Sequence, residues 1–256
     1  MMRTAFSLWH REVLRFVLDR SRVFSSLGQP IVFWVLFAGA LSSSRMPGGI
    51  GYGEYFFCGA LAMIVMFTAI FSTITVIEDR KEGFLQGVLV APVPRAAIAL
   101  GKIGGAATLA VGHALVFLLL APLAGVPLSF GAVIGAVGAL VLMAFALTGL
   151  GFTLAWKMDS TAGYHGIMMV FLMPMLLLSG AFFPASGAHP VMAWIMTFNP
   201  LTYPVALLRH AFYGTGEATA GLPGLGLSLA VTVAFAAATF ALGTAAVLKR
   251  TARDAT

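Results

Sequence analysis

The most restrictive feature of this sequence is a series of uncharged apolar runs, each about as long as a bilayer is thick. Residues 55–77, YFFCGALAMIVMFTAIFSTITVI, carry no charge. A helix needs roughly 20 such residues, at 1.5 Å each, to cross a hydrocarbon core about 30 Å thick. Runs of this kind predict spans at 24–42, 56–77, 101–122, 130–156, 162–183 and 223–248. The first is interrupted by Gly28, Gln29 and Pro30 and is expected to kink. Hydrophobic residues make up 60% of the chain and charged ones 9%, whereas a soluble domain carries about 25% charged residues. A soluble fold is therefore excluded. Strand-like alternation is absent, so helices rather than a barrel must satisfy the backbone in lipid. The expected fold is an all-α integral membrane protein with six transmembrane helices.

The basic residues orient it. Arg3, Arg11, Arg15, Arg20 and Arg22 precede the first span, and Arg80, Lys81, Arg95 and Lys102 sit between spans two and three. Lys157 follows span four, and Lys249, Arg250 and Arg253 follow span six. Only Arg45 and Arg209 fall on the other side. Because cytoplasmic loops are enriched in Lys and Arg, this predicts an N-in, C-in protein with residues 78–100 in the cytoplasm. The calculated pI of 9.9 thus reports topology, and no nucleic acid is expected as a partner. No short apolar core with a small-residue cleavage site opens the chain, so a cleaved signal peptide is not expected. The single cysteine, Cys58, offers neither an intrachain disulfide nor a CxxC pair.

Residues 1–23 place Phe6, Trp9, Val13, Phe16, Val17 and Leu18 near helical spacing, with Arg11, Arg15, Asp19 and Arg22 tending to the other face. This predicts an interfacial amphipathic helix; the alternative is a basic juxtamembrane tail held by anionic lipid. Behind span two comes Glu78-Asp79-Arg80-Lys81-Glu82, five charges in a row. Acids contribute little to topology, so the cluster needs another explanation. After Gly83, the segment FLQGVLV puts Phe84, Leu85, Val88 and Leu89 on one helical face before Pro92 and Pro94 stop it. A short cytoplasmic helix with apolar residues and a charged cap suits docking to a soluble partner.

The stretch EDRKEGFLQGVLVAPVPRAAIALGK resembles the cytoplasmic loop of ABC-2 type permeases, through Glu78, Arg80, Glu82, Gly83, Leu89, Pro92, Gly101 and Lys102. Phe84 stands where that family often has Thr. A second block, Leu178 to Gly214, resembles the family's segment between spans five and six. The resemblance implies one domain over residues 1–256: the interfacial helix 1–23, spans one and two 24–77, a coupling loop 78–100, spans three to five 101–183, an external re-entrant region 184–222, and span six with its tail 223–256. It implies a homodimer or related heterodimer in the bacterial inner membrane, working with two copies of a separate cytoplasmic ATPase. ATP and Mg would bind on that partner and no cofactor on this chain, which carries no GxxxxGKS/T run. Glu78, Arg80, Glu82, Gly83, Phe84, Leu85, Val88, Leu89 and Pro92 would then be the ATPase-coupling residues. The implied activity is ATP-driven export of a hydrophobic or amphipathic drug, lipid or lipid-linked glycan.

Between spans five and six, Gly180, Pro184, Gly187, Pro190 and Pro200 break the chain into pieces too short to span, around the apolar VMAWIMTF. Re-entrant helices gating the outer end are expected, with Gly180, Pro184, Trp194, Asn199, Pro200 and Arg209 as candidates; an exposed loop with an interfacial helix is the alternative. Arg209 is expected to snorkel to headgroups or make a structural contact, ahead of binding an anionic substrate. His113, inside span three, reads as a neutral histidine bonded to a neighbouring helix, and His165 as interfacial. His189, His210 and Glu217 match no zinc spacing. The methionines of span five (Met168, Met169, Met173, Met175) and the glycines Gly131, Gly135 and Gly138 read first as packing. Two rival functions, a lipid-modifying membrane enzyme and an ATP-independent carrier, lack the acids within the spans that either would need.

Overall fold

The computed structural model describes the backbone of residues 2–186 and 188–253, and their side chains except at 20–22 and 249–253. Gly187 and the side chains of Arg20, Arg22, Lys249, Arg250 and Arg253 therefore lie outside the described residues. Among the described residues twelve α-helices follow one another: α1 (Met2–Leu18), α2 (Arg20–Ala40), α3 (Tyr52–Thr73), α4 (Thr75–Lys81), α5 (Phe84–Val90), α6 (Arg95–Leu118), α7 (Ala121–Ala124), α8 (Phe130–Lys157), α9 (Thr161–Leu177), α10 (Pro190–Phe198), α11 (Thr202–Tyr213) and α12 (Leu225–Arg253). Among the described residues there is no strand, only an isolated bridge between Arg45 and Gly51.

Among the described residues, five helices are long and apolar enough to cross a membrane: α2, α3 continued by α4, α6, α8 and α12. The interruption at Gly28–Pro30, where a kinked span is expected, lies inside one helix, since α2 runs through Pro30. The expected fifth span is shorter than 162–183. Its helix, α9, has 17 residues and stops at Leu177, because the hydroxyl of Ser179 bonds back to the Leu176 carbonyl and Gly180 turns the chain at φ 80°. At 1.5 Å per residue α9 covers about 25 Å, the lower end of what spans a bilayer. Helices α10 and α11 meet at 92°, so this stretch is a bent pair and not a straight rod.

Helix α3 is the hub. Of its apolar window 94% is buried, against 11% for α2, which fits a helix that is apolar on every side. Missing side chains set the closest helix contacts. Gly149 and Gly243 bring α8 against α12, at Thr239 and Phe152 respectively, and Gly135 abuts Ala211 of α11. A Cβ on Gly131 or Gly138 would meet nothing within 4 Å, because both border an open apolar groove, so of that stripe Gly135 serves close approach. The connections sort to two ends of the bundle. Residues 47–49 meet 217–219, and Tyr52 meets Phe182, at one end; Arg80 reaches Met158 at the other.

Candidate coupling and gating sites

The charged row after span two is anchored by α1. Every third or fourth residue of α1, Ala5, Leu8, Glu12 and Phe16, is buried. This face runs alongside α6 in the same direction: Ala5 and Leu8 lie on Gly101, Glu12 on Gly105, and Phe16 on His113. Trp9 donates its indole N–H to Thr108 at 3.0 Å. Two glycines four residues apart remove the Cβ atoms that would hold the helices apart. Phe6, Val17 and Leu18 stay exposed, so α1 combines an outward apolar surface with an inward face centred on an acid.

That acid belongs to a buried ion cluster. Glu12, Asp79 and Lys102 are 4%, 0% and 3% exposed. The Lys102 ammonium donates to Glu12 Oε1 at 2.5 Å and to Asp79 Oδ2. Arg11 grips Asp79 with both terminal nitrogens at 2.9 and 2.8 Å, and Arg15 adds a third donor at 2.6 Å. Thr75 donates to Glu12 Oε2 at 2.8 Å. Charges taken out of water are tolerated only with such complete partnering. The hydrogen bond to Asp79, against the opposing cost of burial, raises the Arg11 pKa above its ordinary value. The Arg11 guanidinium also lies 3.7 Å above the Phe84 ring. One point thus ties together α1, the end of α4, the start of α6 and the first residue of α5.

The candidate coupling residues divide between inward and outward. Leu85 is buried, and Phe84, Val88 and Leu89 pack on the apolar core, so the apolar stripe expected to meet a partner is turned to the protein's own helices. The outward surface is Lys81, Glu82, Gly83, Gln86, Gly87, Val90 and Pro92. Gly83 has φ 78°, a backbone angle that costs side-chain-bearing residues strain. Glu78 accepts from Arg15 at 3.1 Å, and Glu82, 59% exposed, does so at 3.3 Å. Arg80 faces away from this cluster. It donates to the carbonyls of Trp156 and Met158 at 2.6 and 2.8 Å and to Asp159 at 3.0 Å, closing the C-terminus of α8, where unpaired carbonyls favour a cation.

At the opposite end, Leu178 and Ser179 still bond back to the Pro174 and Leu176 carbonyls of α9, and chain segment 180–182 then enters the bundle outside any helix. Gly180 and Phe182 are buried there. Asn199, 7% exposed, donates to the Met175 carbonyl at 2.5 Å and accepts from Leu201 N–H at 3.0 Å, which fixes the bend between α10 and α11 at Pro200. Trp194 is exposed and packs against Phe198 with ring centroids 4.7 Å apart and planes tilted by 56°, and Pro184 is half-buried. Arg209 does not snorkel. It is 1% exposed and donates to the Gly180 carbonyl at 2.8 Å, because α11 packs that face against α3 and α8.

Of the histidines, His113 Nδ1 lies 3.0 Å from Ser26 and 3.1 Å from Thr68, joining α2, α3 and α6. His165 packs edge-on to Phe71, His189 accepts from Val191 N–H at the start of α10, and His210 lies between the carbonyls of Gly214 and Pro223. Among the described residues no three His, Cys, Asp or Glu groups are placed to hold a metal ion. Sequence reasoning missed Arg11, Glu12 and Lys102 as a unit, and missed Tyr52 and Tyr55. The available signal is Lys102 at the head of the third apolar run, since a base entering a span requires an acid.

A helical bundle with apolar spans, a pinned charged loop at one end and a broken helix pair at the other defines an all-α integral membrane protein. The sequence model of the ABC-2 type transporter family matches residues 4–213, and the chain belongs to that family: it is an ABC transporter permease, the membrane component. No curated protein matches the chain.

Proposed function

We propose that the chain is the permease of an ATP-driven exporter in a bacterial inner membrane. A second permease copy and two cytoplasmic ATPase subunits, which bind ATP and Mg, complete the machine. Thirteen of the fifteen Lys and Arg residues fall at one end by the sequence count, which supports an N-in, C-in orientation with residues 78–95 in the cytoplasm. The observation that carries the reading is the buried cluster behind that loop. A surface that receives motion from another protein must not give way, and Asp79, Glu12, Lys102, Arg11 and Arg15 fasten this one to two membrane helices. Partner contact then falls to Lys81, Glu82, Gly83, Gln86, Gly87, Val90 and Pro92, with Phe84, Leu85, Val88 and Leu89 supporting from behind. Glu78 and Arg80 hold the loop to the bundle and are not the partner's main charge contacts. Gly180, Pro184, Trp194, Asn199, Pro200 and Arg209 form the external gate. Spans without unpaired charge suit an amphipathic or hydrophobic cargo, such as a drug, a lipid or a lipid-linked glycan.

The test is a charge reversal, Glu82→Lys, in the reconstituted complex with its ATPase. Insertion into the membrane should be unchanged, because Glu82 is largely exposed, while substrate-stimulated ATP hydrolysis and transport both fall. Rates equal to those of the unmodified complex for Glu82→Lys and for Gln86→Arg together would remove this loop from coupling.

A further inference from the structure

We infer that Tyr55 and Arg209 form the latch of the external gate, gripping one backbone carbonyl from two helices; this rests on the reading of residues 178–213 as that gate. The Gly180 oxygen accepts from the Tyr55 hydroxyl at 2.8 Å and from Arg209 Nη2 at 2.8 Å. The Arg209 guanidinium also lies 3.5 Å over the Tyr55 ring, so the two donors brace each other. One turn earlier on α3, the Tyr52 hydroxyl donates to the Phe182 carbonyl at 3.0 Å. Between these two points the Ala181 carbonyl oxygen lies where a Cβ on Gly59 would come within 2.4 Å, so segment 180–182 is laid directly on α3.

Backbone groups in a bundle of this kind are normally paired within a helix, and releasing them means unwinding it. Here the carbonyls of Gly180 and Phe182 are held by side chains of other elements. They can be released by a shift of α3 against α11, with every helix intact. The grip is also incomplete: Arg209 Nε has no hydrogen-bond partner despite its burial. Tyr55 and Arg209 are positioning residues, acting through the segment they hold.

The single cysteine provides the readout. Cys58 is fully buried one turn along α3 from Tyr55 and within electrostatic reach of Arg209, and thiol modification depends on access. The intact chain in membranes, without ATPase, is treated from the external side with a membrane-impermeant thiosulfonate. Labelling should be slow in the unmodified protein and rise about five- to tenfold in Tyr55→Phe, the scale of one net hydrogen bond. Arg209→Gln should rise further, and Arg209→Lys should lie between. Tyr164→Phe is the control, because it removes an equally buried hydroxyl bonded to Thr73 at 2.6 Å on the cytoplasmic half of the bundle. Unchanged labelling in both latch variants overturns the inference, and so does an equal rise in the Tyr164 variant, which would mean general loosening. No ATPase is involved, so the outcome is independent of the Glu82 experiment: the latch can fail while the export reading stands, and the reverse.

Discussion

The two ends of this permease are fastened by different chemistry. At the loop end, charges hold charges: Lys102 and two arginines converge on Asp79, itself 0% exposed, and no part of the cluster relies on a free backbone group. At the opposite end, side-chain donors hold carbonyls: Tyr52, Tyr55, Asn199 and Arg209 each grip a main-chain oxygen of the segment after α9 or of α9 itself. An ion cluster in a dry site is costly to open, because every partner left behind is an uncompensated charge. A carbonyl held by a neutral hydroxyl loses far less when it exchanges that donor for water. The first arrangement suits an element that must transmit a displacement without yielding, and the second suits one that must yield. In the proposed cycle these are the coupling loop and the gate.

The widest contrast should come from the ion cluster. Lys102→Met leaves Glu12 and Asp79 facing each other with only the arginines to compensate, and truncating one partner of a buried pair costs about 3–5 kcal/mol. Thermal unfolding of the purified permease in nanodiscs should register this as a large loss of stability. If Lys102→Met unfolds at the temperature of the unmodified protein, the cluster is not what holds the loop end. At the opposite end, Asn199→Ala removes the donor to Met175 and the acceptor for Leu201 N–H. The expected cost is smaller, about 1–3 kcal/mol for buried groups left unpaired, read in the same assay. A loss as large as that of Lys102→Met would erase the proposed difference between the ends.

Much of this was legible in the sequence, and the boundary is physical. Span positions follow from run length, a one-dimensional property, and α3, α6, α8 and α12 lie where the apolar runs put them. The fifth span was overextended because Leu178 to Phe183 is as apolar as a helix. Only Gly180 betrays the turn, and a glycine in an apolar run fits a helix in lipid as well. The charged row Glu78–Glu82 announced itself, but its partners did not. Glu12 and Lys102 are 90 residues apart, and helical periodicity in α1 assigned its inward face from aromatics, whereas Gly101 and Gly105 admit a face carrying an acid. The same limit hides the donors at the opposite end. Tyr52 and Tyr55 sit three residues apart on one face of α3, yet in an apolar run a tyrosine looks like any aromatic until its hydroxyl has a carbonyl to meet. Arg209 was noticed, but whether a long basic side chain reaches out or in depends on what packs over it.

The smallest predicted effect separates pinned charges from decorative ones. Arg80 and Asp159 form an ion pair at 3.0 Å, but Asp159 is 72% exposed, and exposed pairs are worth about 0–1 kcal/mol. Asp159→Ala should leave the unfolding temperature nearly unchanged, since Arg80 keeps the carbonyls of Trp156 and Met158. Arg80→Ala removes those two charge-assisted bonds as well and should cost more, through the end of α8 and not through Asp159. Adding salt discriminates further: the screening length at 1 M is about 3 Å, so any contribution from Asp159 should disappear there, while the buried Lys102 cluster keeps its full effect. An Asp159→Ala loss matching that of Arg80→Ala, and abolished by salt, would mean that the loop end depends on solvent-exposed charge. Its fastening would then be as easily released as the gate's, and the assignment of one end to transmission and the other to yielding would have no physical basis.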